Sequence, residues 1–135
     1  MDEKCKKNLH ELETVIGHSF KRIELLNVAL THSSFANGQD CDYPHNERLE
    51  FLGDSILNMI ISLHLFQNMS NMPEGQLTRA RANIVCEQSL FSAARSINIG
   101  SYIYMSKGEE NTGGRKRASI LADTFEALIA AIYLD

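Results

Sequence analysis

The chain has no tryptophan, two prolines and three cysteines in 135 residues, and it has no low-complexity tract. With 44% hydrophobic and 22% charged residues, this composition excludes a disordered chain and fits one soluble domain with a real core. Cys5, Cys41 and Cys86 are odd in number and far apart, with no CxxC pair, so they read as free thiols rather than zinc or redox ligands. Also missing is any run approaching the roughly 18 uninterrupted apolar residues of a membrane helix. The N-terminal MDEKCKKNLHEL lacks the apolar stretch of a signal peptide. No membrane partner and a cytoplasmic location are therefore expected. Finally, there is no basic excess: the net charge is −4, which on global charge alone argues against a nucleic-acid partner. Local charge has to decide.

What is present is helical periodicity along most of the chain. Leu9, Leu12, Val15 and Ile16 form a stripe that stops at Gly17, a C-terminal cap. Ile23, Leu26 and Leu30 mark a second helix that runs out at Thr31 to Ser34, and residues 35–44, with Asn37-Gly38, read as a loop. The longest helical signal covers residues 46–68. Asn71 as a cap, Pro73 and Glu74 then open a helix carrying Leu77, Ile84 and Val85. Another helix is expected over residues 87–97, ending near Gly100. Residues 101–105 read as a short extended piece and 106–114 as a polar loop. A last helix starts near Ser119 and still runs at Asp135 without a terminal cap. The fold class is all-α, a single domain over residues 1–135, and the uncapped apolar end suggests a piece of a longer protein.

Two of these helices carry acids in register. On a helix of roughly 3.6 residues per turn, Glu47, Glu50 and Asp54 share one face, while Leu49, Leu52, Ile56 and Ile60 fall on the opposite one. Turns rise about 5.4 Å, so one divalent cation could bridge two of these carboxylates. In the last helix Asp123 and Glu126 share a face opposite Leu121, Phe125, Leu128, Ile129 and Ile132. Ala127, Ala130 and Ala131 lie nearer the acidic side, where small residues would let a second helix approach and two acidic faces meet. Acids opposite an apolar stripe usually form a solvated face. Here Phe51 and Leu57 flank one acidic set, and Tyr133 and Leu134 the other, which suggests partial enclosure and a need for a cation. All-oxygen ligands suit Mg²⁺ or Mn²⁺, and the absence of Glu-x-x-His argues against a di-iron bundle. Arg79, Arg81 and the run Arg115-Lys116-Arg117 offer phosphate contacts beside the acids, although such runs are more often ordinary surface charge.

Residues 46–57, NERLEFLGDSIL, resemble the signature of the ribonuclease III family. Ala29 to Ser34 (ALTHSS), Glu74 to Thr78 (EGQLT) with Arg81, and Gly113 to Arg115 followed by Ser119 to Ala127 (SILADTFEA) resemble the family's other blocks, in the family's order. The resemblance implies an all-helical, homodimeric endonuclease domain. It implies cleavage of double-stranded RNA to 5′-phosphate and 3′-hydroxyl ends with two-nucleotide 3′ overhangs, in processing of precursor RNAs such as ribosomal ones. It places metal binding on Glu50, Asp123 and Glu126, with Glu126 also catalytic. Asp54 matches the remaining catalytic acid, and Glu47 and Glu74 match further acids of the cleavage valley. Phe51 is explained if its ring enters a two-fold partner. His32, His45 and Cys86 are left as structural or surface residues. Family members usually continue with another helix and a double-stranded-RNA-binding domain beyond this stretch. Two other readings fit part of this pattern. An all-α nucleoside-triphosphate pyrophosphohydrolase also holds Mg²⁺ with paired acids on helices, but it lacks the signature block. A non-catalytic RNA-binding scaffold would be expected to have lost acids that are all present here.

Overall fold

The computed structural model describes residues 3–39 and 42–135, with the side chains of residues 3–7 excluded. Eight α-helices make up the described part: α1 (Glu3–Ile16), α2 (Ile23–Ala29), α3 (Ser33–Ala36), α4 (Glu47–Asn68), α5 (Glu74–Ile84), α6 (Glu87–Ser96), α7 (Lys107–Asn111) and α8 (Ala118–Leu134). Short 3₁₀ turns at Ile99–Ser101 and Gly114–Lys116 connect them. The all-α class is as expected. The extended piece near residue 104 reduces to a single parallel bridge between Thr31 and Tyr104.

The last helix is the spine. Most of α8 is buried, including Leu121, Ala127, Leu128, Ala130 and Ala131, and it packs against α4, α6 and α2. Its two sides face different cores. Leu121 and Leu128 join Leu9, Leu12, Leu26, Leu30 and Ile103, while Ala127, Ala130 and Ala131 join Leu49 and Ile56 of α4. The alanines do what small residues permit, which is to bring two helix backbones together. Contact is tightest at Gly53, where a Cβ would sit 1.9 Å from the Glu126 carbonyl oxygen. Only glycine fits there.

Several local expectations change. Residues 35 and 36 belong to α3 rather than to a loop, because His32 caps that turn by accepting the Ser34 N–H. Residues 107–111 form α7, capped by the Ser106 hydroxyl. Pro73, not Asn71, occupies the N-cap of α5, and no side chain caps it. Nor is the end of α8 bare: the Asp135 carboxylate accepts the Lys21 and Arg22 N–H groups at 3.1 and 2.8 Å and meets His18 Nε2 at 3.2 Å. Gly17 ends α1 with φ +69°, in the left-handed conformation anticipated. Cys86 is an exposed free thiol, whereas Cys41 and the Cys5 side chain lie outside the described residues.

Past Ile56, only Leu65 of α4 is buried. Arg81 of α5 donates to the Ser62 hydroxyl at 2.8 Å, so α4 and α5 form a hairpin. Met59, Ile60, Leu63 and Phe66 are left exposed, and Ile60 is therefore not the core residue its position on the stripe suggested. Among the described residues α4 alone has the length and mean hydropathy (1.3) to cross a membrane by composition, but its first two turns carry Glu47, Arg48, Glu50 and Asp54.

Candidate metal centre

The close crossing at Gly53 fixes where the acids go. Glu50 lies one turn before Gly53 on α4, Asp54 directly follows it, and Asp123 and Glu126 flank the same crossing on α8. Glu50, Asp123 and Glu126 each present one carboxylate oxygen, and these three oxygens lie within 4.8 Å of one another. Among the described residues no lysine or arginine forms an ion pair with them. Glu126, 9% exposed, has its carboxyl pushed up to about 7, first by burial and then by Asp54, Asp123 and Glu50. Burial likewise raises Glu50, with Asp123, Glu47 and Asp54 adding to it. Burial and then Glu87, at the start of α6, raise Asp123, while His32 opposes the rise. Three all-oxygen ligands held against their own repulsion suit a hard divalent cation.

Enclosure thus comes from helix packing, which corrects the sequence argument: Phe51 is 78% and Tyr133 64% exposed, so neither ring covers the acids. Phe51 instead lines a hollow with Val28, Tyr43, Leu52 and Leu134.

Residues 22–135 match the family model described as Ribonuclease-III-like. The chain is 56% identical over 128 residues to Ribonuclease 3 of Clostridium tetani, covering 95% of this chain and 54% of that protein. It is 58% identical over 127 residues to Ribonuclease 3 of Clostridium beijerinckii, again covering 54% of the relative. The chain belongs to the ribonuclease III family. It spans about half the length of those relatives. In three dimensions it resembles a crystal structure of the nuclease domain of ribonuclease III from Campylobacter jejuni, with TM-score 0.86 and 44% identity over 95% of this chain and 84% of that one. A second structure of that nuclease domain, noted for flexibility in a region involved in dimer formation, gives TM-score 0.87 and 43% identity over 93% and 85% of the two chains.

Within this ribonuclease III fold the remaining candidates are distributed unevenly. Asp54 is exposed at the edge of the cluster, its Oδ1 accepting from Asn58 Nδ2 at 3.0 Å. Glu47 is exposed at the mouth of a narrow cavity that Glu50, Asp123, Asn46 and His32 also line. Its Oε2 lies 4.0 Å from His45 Nδ1. Glu74 is not brought to the cluster. It sits on α5, accepts from the Thr78 hydroxyl at 3.3 Å and borders a separate hollow with Ser62, Phe66 and Arg81. Arg115 donates to the Gly100 and Ile103 carbonyls at 3.0 and 2.8 Å and pairs with Glu110, and Arg117 pairs with Glu109. Both arginines therefore tie down their own loop, and among the described residues Lys116, exposed like Arg117, is the member of the trio without an ion pair.

Sequence reasoning missed three neighbours of the acids. Asn46 is buried, and its Nδ2 reaches the Ala29 carbonyl at 3.3 Å and Thr124 Oγ1 at 3.5 Å, so it joins α2, α4 and α8 below the cluster. Glu87 and His32 come from other elements, and nothing in their local pattern announces where they go. His32, expected to be a structural or surface residue, lines the same cavity as Glu50 and Asp123.

Proposed function

We propose that this chain is the nuclease domain of a Mg²⁺-dependent endoribonuclease acting on double-stranded RNA. The observation that carries this reading is the meeting of Glu50, Asp123 and Glu126 within 4.8 Å, with Glu126 raised to about 7 at a helix crossing. The donor set fits the metal: it is all carboxylate, partly enclosed, and lacks any neutralising lysine or arginine ion pair among the described residues. Glu50, Asp123 and Glu126 would hold Mg²⁺, with Mn²⁺ able to replace it. The chemistry such an ion supplies is neutralisation of phosphate charge and a lowered pKa for the attacking water. The protein's own part is to preorganise the three oxygens, since α4 and α8 approach backbone to backbone at Gly53, where there is no room for a Cβ. Asp54, next to them and more open, would orient ligands and water for hydrolysis of the phosphodiester to 5′-phosphate and 3′-hydroxyl ends.

Glu47 and Glu74, both exposed, belong in this reading to the rim that meets RNA or the second protomer, and Lys116 contributes phosphate attraction. The reading includes a homodimer built on the exposed apolar face of α4 around Phe51, two-nucleotide 3′ overhangs from paired cuts, precursor RNAs as substrates and a cytoplasmic setting. Incubating the protein with long duplex RNA, in Mg²⁺ or in EDTA, and sequencing the fragment ends tests it. Cleavage only with Mg²⁺, giving 5′-phosphates and two-nucleotide 3′ overhangs, is expected. Intact duplex in both conditions would favour a binding scaffold instead.

A further inference from the structure

The acidic cluster leaves one polar group on its wall unused. His32 lines the same narrow cavity as Glu50 and Asp123, and it comes from the turn that starts α3. Its ring is held from one edge. Nδ1 accepts the Ser34 backbone N–H at 3.2 Å and lies 2.8 Å from the Ser34 hydroxyl. That hydroxyl accepts the Ser106 N–H at 3.1 Å, which leaves its own proton to donate, and Nδ1 is the acceptor beside it. A nitrogen that accepts two hydrogen bonds carries no proton, so the neutral imidazole is protonated at Nε2. The backbone around the ring is fixed: His32 N–H donates to the Tyr104 carbonyl at 3.0 Å, Tyr104 N–H donates to the Leu30 carbonyl at 2.8 Å, and Phe35 packs on Tyr43 and Tyr104.

No described residue accepts from Nε2. The result is a locked N–H donor on a wall otherwise shaped by Asn46, Glu47, Glu50, Ile120 and Asp123. A donor beside carboxylates complements an anionic oxygen, and since no described carboxylate accepts from Nε2, the oxygen it fits is one arriving from outside.

We propose that His32 is a substrate-positioning residue whose Nε2–H donates to a non-bridging oxygen of the RNA phosphate brought against Glu50 and Asp123. This rests on reading those acids as a nuclease site. Ser34 and Ser106 belong to the same device, because their hydrogen bonds decide which nitrogen carries the proton.

His32→Asn separates the donor from the cap. Asparagine is a favourable N-cap, so its Oδ1 still takes the Ser34 N–H, while nothing remains at the Nε2 position. Its melting temperature should match the parent protein's, with kcat/KM on duplex RNA falling roughly 10- to 100-fold, the loss expected for one hydrogen bond to a charged group. Independent of turnover, ring ¹⁵N–¹H correlation spectra of the Glu126→Gln variant with Mg²⁺ should show His32 protonated at Nε2, and a short RNA duplex should shift that resonance. Full activity in a well-folded His32→Asn protein, a ring protonated at Nδ1, or an Nε2 signal indifferent to RNA would each overturn the proposal. If the parent protein cleaves no RNA at all, it is the nuclease reading that fails, while the ring spectra still decide the tautomer and the RNA contact.

Discussion

Glu126 is the residue on which most of the chemistry converges. Its carboxyl is ionised at about pH 4.5 when unfolded and only near 7 in the metal-free fold. A raised folded-state value means that the fold is favoured while the group stays protonated: the contribution is complete below about pH 4.5 and is lost as pH climbs through about 7. The shift would cap the effect near 3 kcal/mol, and solvent screening at this partly enclosed site reduces it to about 1–2 kcal/mol. Metal-free protein should therefore lose melting temperature from about pH 5 to pH 8. Glu126→Gln should remove that component and melt higher than the parent at pH 8. The two proteins showing the same pH slope in EDTA would contradict this account. At pH 8 Mg²⁺ should restore stability to the parent by preferential binding and do much less for Glu126→Gln.

At the scale of elements, the α4–α8 crossing decides whether the acids meet. Gly53→Ala would place a methyl group where the Glu126 carbonyl stands, so the helices must separate. The expected cost is about 3 kcal/mol or more in urea melts, together with weakened Mg²⁺ binding. A well-folded Gly53→Ala protein with normal metal affinity would show that the crossing does not set the site. Asn46→Ala should cost about 1–3 kcal/mol, because the buried Ala29 carbonyl loses a partner, and calorimetric melting checks it. The periodicity of α4 and α8 carried most of this geometry, since faces follow directly from spacing, and even the role of Ala127, Ala130 and Ala131 was readable from their size. The role of Gly53 is not legible in the same way, because a glycine inside a helix announces a close approach without naming the partner. His32 and Glu87 were illegible for a different reason: they reach the acids through long-range packing that no local pattern encodes. The enclosing role given to Phe51 failed because a helical wheel shows direction but not what stands there.

At the scale of the molecule, the exposed apolar residues of α4 are what one isolated chain leaves unexplained. Phe51, Met59, Ile60, Leu63 and Phe66 are each at least 47% exposed along one helix, which is the kind of patch that marks an association surface. Phe51→Ala should shift sedimentation toward monomer at low concentration; an unchanged sedimentation coefficient would remove Phe51 from the interface.

The central claim is that Glu50, Asp123 and Glu126 form one divalent-metal site that cuts RNA. The most direct measurement compares initial cleavage rates of a defined RNA duplex across a Mg²⁺ titration for the parent protein and Glu126→Gln. The account predicts saturable, Mg²⁺-dependent cleavage by the parent and a loss of at least about 100-fold in Glu126→Gln, even at high Mg²⁺. Equal rates for the two proteins, or cleavage by the parent that persists in EDTA, would contradict it.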